Sequence, residues 1–269
     1  MATTSASSIS LLDVPSLVSQ LMTVERQPIT SLNTKISNYQ SQISTFGTLS
    51  SLTSTLQSSL TTLTSAFGNY TATPSDSSVF TAVAGSTAVA GSYSVTVSHL
   101  ARAQTLAASG QAAATAPVGG ASPSTLTLTI NGVGKPVSIG ANATLNDIRD
   151  AINAAGIGVT ASIVNDGSAK PYRLTISANS TGTNSAVSQV VGSDSAIDAL
   201  LNYGTAQAST VTEAQPAVDA SLTVNGISIA SQSNVVSGAI QGVTLTLKSE
   251  SATVGNLTVQ RDTGSVQTA

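Results

Sequence analysis

Residues 29–67 read ITSLNTKISNYQSQISTFGTLSSLTSTLQSSLTTLTSAF. Large apolar side chains recur in it every three or four positions, which is typical of a coiled-coil seam on one face of a long helix. Two successive steps of three beside Gly47 interrupt the strict heptad. We predict a helical leg over residues 29–70 that starts near Pro28. Its predicted interface residues are Ile29, Leu32, Ile36, Tyr39, Ile43, Phe46, Leu49, Leu52, Leu56, Leu60, Leu63 and Phe67.

The polar face of this predicted helix carries almost no charge. Between residues 27 and 75 the only charged side chain is Lys35, and Ser, Thr, Asn and Gln fill the remaining polar positions. Such a helix lacks Glu–Lys pairs and is built from mediocre helix formers, so it requires partner helices. Either another segment of the same chain or neighbouring subunits can supply them, and both can do so on different faces.

The composition excludes several classes of function. Only 8% of the 269 residues are charged, against roughly 25% in ordinary soluble proteins. The net charge is −3 and the basic residues are scattered, so we expect no nucleic-acid partner. There is no Cys for a disulfide or a thiolate metal site. No apolar run is long enough to span a membrane, and residues 1–28 resemble a flexible export segment more than a cleavable signal.

After the helix the hydrophobic period changes from about 3.6 to two, which indicates strands. Residues 71–115 are predicted to contain a hairpin made of strands 79–84 and 93–100. A Gly/Pro/Ala-rich linker at 116–124 then marks a domain boundary.

A first strand-rich head module is predicted over 125–215. It opens with a hairpin that turns at Asn131–Gly132 and continues with a helix over 143–155, which stops at Gly156. Strands at 159–164 and 172–177 follow, so the order is strand, strand, helix, strand, strand. A short helix is predicted at 195–202.

A second strand-rich module is predicted over 216–262, because LTVNG at 222–226 repeats LTING at 128–132. Strands are predicted near 227–230, 243–247 and 257–261. The fold class is therefore α+β: a long N-terminal coiled-coil helix followed by β-rich head domains.

Signatures of catalysis are missing from the sequence, which has no nucleophile elbow, phosphate loop, zinc helix or calcium loop. His99 is the only histidine, and a strand residue is its simplest interpretation. Asp147 and Asp150 are interpreted as solvated charges on a helix flank. We expect no enzyme activity, no cofactor and no metal.

Several ordered motifs resemble the N-terminal region of the flagellar filament cap protein family, also called hook-associated protein 2. Residues 126–182 resemble the module that this family shares with flagellin, through the strand–Asn–Gly–strand start, AINA at 151–154 and YRLT at 172–175. The remaining motifs are LDV at 12–14, LVSQLM at 17–22, ER at 25–26, Pro28 and GSYSVTVSHLARAQ at 91–104.

The resemblance implies a secreted assembly factor at the distal tip of the bacterial flagellar filament. It implies a homo-oligomer, commonly a pentamer, that promotes flagellin folding and polymerisation and prevents loss of monomers. Its implied partners are flagellin, the hook-filament junction proteins and the flagellar export machinery. It also implies that the N-terminal helix pairs with C-terminal helices, so residues 263–269 are expected to lead into such a region.

Two other functions remain open from the sequence. Another flagellar axial protein, either a junction protein or flagellin itself, would share the coiled coil and the β module. A secreted adhesin would account for the Ser/Thr-rich, β-rich surface.

Overall fold

The computed structural model describes residues 13–264, and its first element is a single helix, α1, over Val14–Phe67. The predicted helix is confirmed, but its predicted start is wrong, because residues 14–28 are helical and Pro28 lies inside the helix. The start signal is Asp13, whose carboxylate accepts a hydrogen bond from the Ser16 backbone N–H at 3.2 Å. Residues 1–12 and 265–269, which contain parts of both predicted terminal segments, lie outside the described residues.

Residues up to Ser65 form one compact unit and residues from Ala66 form another. The second unit contains two strand-rich modules, because one is inserted into the other. The discontinuous module comprises residues 70–104 and 216–261, and the inserted module comprises residues 105–215.

The discontinuous module is built from eight strands in two antiparallel sheets. Their orders are β1-β15-β3-β11-β12 and β13-β14-β2, and side chains of both sheets share one core. The strands are β1 (Tyr70–Pro74), β2 (Phe80–Ala84), β3 (Gly91–His99), β11 (Ala220–Val224), β12 (Ile227–Ser231), β13 (Val235–Ile240), β14 (Val243–Leu247) and β15 (Ser251–Arg261).

The predicted hairpin between strands 79–84 and 93–100 is wrong, although both strands exist. β2 pairs with β14, and β3 pairs with β15 and β11. The alternation of apolar and polar residues reports which face of a strand is buried, but not which strand lies beside it. The predicted region 71–115 and the predicted second module 216–262 therefore contribute to a single core.

The inserted module has two antiparallel sheets, ordered β10-β4-β8-β7 and β6-β5-β9, and two helices around a second core. The predicted order of strand, strand, helix, strand, strand is confirmed. Its elements are β4 (Thr105–Ala107), β5 (Ser124–Ile130), β6 (Val133–Ile139), α2 (Leu145–Ala155), β7 (Val159–Asn165), β8 (Tyr172–Ala178), β9 (Val187–Gly192), α3 (Ser195–Leu201) and β10 (Thr212–Gln215).

Helix α2 stops at the predicted residue but starts two residues later than the predicted 143, because Thr144 is its cap. Thr144 caps its N-terminus and forms a capping box with Asp147, and Gly156 ends it in the left-handed conformation at φ 59°. Its buried face carries Leu145, Ile148 and Ile152, so the helix packs into the core of the inserted module.

The predicted linker at 116–124 is not a free connection between domains. The backbone N–H groups of Val118 and Gly119 both donate to the Ala143 carbonyl, at 2.9 and 3.0 Å. Val118 also packs against the core of the inserted module. The passage between modules instead lies where Arg102 and Val218 form an antiparallel bridge.

Candidate assembly surfaces

The predicted interface residues of α1 all lie on the described helix, and all but one are solvent-exposed. Eleven of the twelve are 50–71% exposed, and Leu63 is half-buried. The exposed apolar side chains continue towards the N-terminus at Leu17, Leu21 and Val24. An apolar stripe of this length on a solvated helix marks a surface that another helix can cover.

Many Ser and Thr side chains of α1 satisfy their donors within the helix itself. Twelve Ser and Thr hydroxyls donate to the carbonyl four residues earlier, for example Thr53 to Leu49 at 2.9 Å and Thr64 to Leu60 at 2.7 Å. These hydroxyls need no external donor partner, so α1 keeps many polar positions with few charged side chains. The Ser and Thr content is visible in the sequence, but this hydrogen-bond pattern is not.

The junction between the two strand-rich modules is a cluster of polar contacts centred on Asp219 of the discontinuous module. Its carboxylate accepts hydrogen bonds from the Thr183 backbone N–H at 2.6 Å and from the Gln232 side chain at 2.8 Å. Gln232 in turn accepts from the Asn184 N–H at 2.9 Å and from the Thr181 hydroxyl at 2.7 Å. Both acceptor residues thus hold the 181–184 segment of the inserted module.

Gly182 lies at the centre of this contact and allows the close approach. A Cβ atom there would lie 2.4 Å from the Gln232 side-chain oxygen, and the backbone φ is 88°. A larger residue would therefore clash and strain the backbone.

Gln104 secures the chain where it passes into the inserted module. Its side chain is 3% exposed, accepts the Val187 N–H at 2.8 Å and donates to Glu213 at 2.8 Å. It also lies 3.4 Å from the Tyr203 hydroxyl, whose pKa is raised by burial and by the Glu213 charge. The sequence does not identify this role of Gln104, because its neighbours along the chain do not indicate that it is buried.

An apolar groove of about 340 Å³ lies beside the edge strand β12. It contains side chains of both sheets of the discontinuous module, among them Tyr93, Ile229 and Ile240, and its lining is uncharged. The groove offers no charged group that would favour an ionic ligand.

The three titratable residues singled out in the sequence are an exposed histidine and two carboxylates that bond to neighbouring residues. His99 ends β3 and is exposed. Hydrogen bonds from the Thr144 backbone and hydroxyl lower the pKa of Asp147, and the Arg149 side chain lowers the pKa of Asp150.

Among residues 13–264 no three His, Cys, Asp or Glu side chains are grouped so that they could hold a metal ion. No helix in the same range is long and apolar enough to cross a membrane.

Comparison with known families gives matches at both ends of the chain. Residues 10–104 match the Flagellar hook-associated protein 2 N-terminus, and residues 217–269 match the Flagellar hook-associated protein 2 C-terminus. Residues 125–180 match the Flagellin hook IN motif. The two hook-associated segments flank the inserted module, in agreement with the discontinuous core. A comparison with curated proteins finds no match.

Solved structures of flagellar cap proteins share the fold. The D1-D2-D3 domains of the cap protein FliD from Escherichia coli are 34% identical with a TM-score of 0.73, over 80% of this chain and 73% of that one. The D2-D3 domains of the same protein give 34% identity and a TM-score of 0.67, over 72% of this chain and 100% of that one.

FliD from Pseudomonas aeruginosa, also called HAP2, is more distant. It is 28% identical with a TM-score of 0.56, over 71% of this chain and 88% of that one. The order of the matched segments, the inserted module and the shared fold together show that the chain belongs to the flagellar hook-associated protein 2 family, whose solved members are flagellar cap proteins.

Proposed function

We propose that this protein caps the flagellar filament: it assembles with copies of itself at the distal tip, outside the cell, and retains each flagellin there while it folds and joins the filament. The observation that carries the proposal is the exposed apolar stripe of α1 on a chain whose family is that of the cap proteins. A surface of this kind is costly to leave in water, so it favours assembly with other helices.

We further propose that the twelve predicted residues, Ile29 to Phe67 as defined above, form a coiled-coil interface. A helix of the same chain or of a neighbouring subunit covers it. The structural role requires no cofactor, and flagellin, the junction proteins and the export machinery are its proposed partners. The experiment below also tests the two alternative functions, that of an adhesin and that of another flagellar axial protein.

The test places a charge on the stripe in cells that otherwise lack the protein. Ile43→Asp would bury an unpaired carboxylate in the interface, at a cost of several kcal/mol. We expect hooks without filaments and flagellin monomers in the medium, as in the deletion strain. Filament length by electron microscopy and flagellin in the culture supernatant provide the measurements.

Ser41→Asp is the matched control, because it adds the same charge two residues away on the opposite side of the helix. It should leave the filaments close to normal. Normal filaments in the deletion strain, without excess monomer outside the cell, would refute the cap role and favour an adhesin. Normal filaments with Ile43→Asp alone would refute only the proposed interface.

A further inference from the structure

The two Asn–Gly turns of the repeated hairpins have the same backbone but different surroundings. Asn131 and Gly132 adopt φ of 50° and 73°, and Asn225 and Gly226 adopt φ of 49° and 81°. The side-chain oxygen of Asn225 accepts the Ser94 backbone N–H at 2.9 Å and lies 3.3 Å from the Ser94 hydroxyl. Its backbone N–H also donates to the Ser94 carbonyl at 2.9 Å.

Asn131 has none of these restraints. It is exposed at the tip of the β5–β6 hairpin, and within residues 13–264 its carboxamide makes no hydrogen bond. Glycine follows it, so no side chain shields the next backbone nitrogen. We propose that Asn131 is a site of spontaneous deamidation in the folded protein, and that Asn225 is spared by its hydrogen bonds to Ser94.

The reaction needs only water. The backbone nitrogen of Gly132 loses its proton and bonds to Cγ of Asn131, while the Cγ–N bond of the carboxamide breaks. The amide nitrogen leaves as ammonia with that proton, and a succinimide ring remains. Water then opens the ring at either carbonyl, which gives aspartate or isoaspartate and adds one negative charge to the chain.

The same ring at Asn225 forms more slowly, because its carboxamide must first turn away from Ser94. The net strength of these hydrogen bonds corresponds to about a tenfold lower rate. At Asn131 the isoaspartate product would place an extra methylene in the backbone of a two-residue turn. Because that turn fixes the register of β5 and β6, the modification is expected to loosen this edge of the inserted module.

The experiment incubates the purified chain at mildly alkaline pH and follows both Asn–Gly peptides by mass spectrometry. In the native protein we expect the Asn131 peptide to convert about ten times faster than the Asn225 peptide. In concentrated urea, where the Ser94 contacts are lost, the two rates should converge. Asn131→Gln should remove most of the acidic species seen by isoelectric focusing.

Three results would overturn the proposal. Equal deamidation rates at the two sites in the native protein, or a faster rate at Asn225, would show that Ser94 does not protect Asn225. If the two conversion rates still differ in urea, the difference comes from the local sequence and not from the fold. No conversion at Asn131 in the native protein, with conversion in urea, would show that the folded turn itself prevents ring closure.

Discussion

Gln104 and Asn202 are the two buried polar side chains in the described part of the chain, and Gln104 lies at the passage between the strand-rich modules. Its amide is fully used, since it accepts from Val187 and donates to Glu213. The loss of this buried amide costs more than the net strength of its hydrogen bonds, because it leaves the buried Val187 N–H without a partner.

Gln104→Leu should therefore destabilise the protein although it keeps the side-chain volume. We expect a loss of about 1–3 kcal/mol in the free energy of unfolding, the usual cost of an unsatisfied buried group. Urea denaturation measures it. Gln241→Leu, at an exposed turn position, is the control and should stay within about 0.5 kcal/mol of the original protein. Equal effects of the two substitutions would contradict the role of Gln104.

Asp147 gives a pH-dependent prediction at the start of α2. Its pKa is lowered, first by the hydrogen bond from the Thr144 backbone, so it stabilises the fold above its unfolded pKa. That contribution is lost as the pH falls through the folded pKa. Asp147→Asn should lower the unfolding temperature at neutral pH and have little effect in strong acid. Thr144→Ala also removes the hydroxyl cap, which does not titrate. Part of the decrease in unfolding temperature caused by this substitution should therefore persist in strong acid. An undiminished effect of Asp147→Asn in acid would be inconsistent with this linkage.

At the scale of elements, α1 combines an apolar stripe with hydroxyls that bond back to its own carbonyls. Residues of this type are modest helix formers, and such back-bonding slightly weakens and bends helices. The exposed stripe also contributes nothing until another helix covers it. The stability of α1 should therefore depend on its partners.

A peptide of residues 27–70 tests this dependence. In dilute buffer we expect circular dichroism to show a largely unfolded chain, and addition of the family's C-terminal helical segment should raise the helicity. Replacing Thr30, Thr34 and Thr45 by Ala should also raise the helicity. The hydroxyls of these residues bond back to carbonyls of the same helix, and Ala is the better helix former. Strong helicity of the unmodified peptide that does not depend on concentration would count against the argument.

At the scale of the whole molecule, the strand-rich modules are joined by two chain crossings and by the cluster around Asp219. Close packing at Gly182 limits how far the inserted module can shift against Gln232. The junction is restrained at both chain crossings and by this cluster, so we predict that the two modules move as one body.

The chain has no Cys, which allows spin labels to be placed only where they are wanted. Labels at exposed Ser138 in the inserted module and exposed Ser228 in the discontinuous one should give a narrow distance distribution. Removal of the junction by Asp219→Ala with Gln232→Ala should broaden it, whereas Gln241→Ala should not. A broad distribution in the original protein would show that the modules are hinged.

Features that depend on neighbours along the chain were predictable from the sequence. The helical period of residues 29–67, helix α2 with its stop at Gly156 and the two Asn–Gly hairpins were all predicted, because helix bonds and tight turns join residues only a few positions apart. The helix start was missed because Pro28 suggested a boundary, whereas Asp13 supplies the cap.

The strand pairing and the position of the junction between the modules could not be predicted, because they depend on tertiary contacts. The pairing of β1 with β15 and of β2 with β14 joins residues from opposite ends of the chain, and a period of two specifies a buried face without a partner. The burial of Gln104 and the contacts of Asp219 likewise depend on segments that are distant in sequence. These contacts arise because the inserted module packs around its own core between the two segments of the discontinuous module. No local sequence pattern encodes that arrangement.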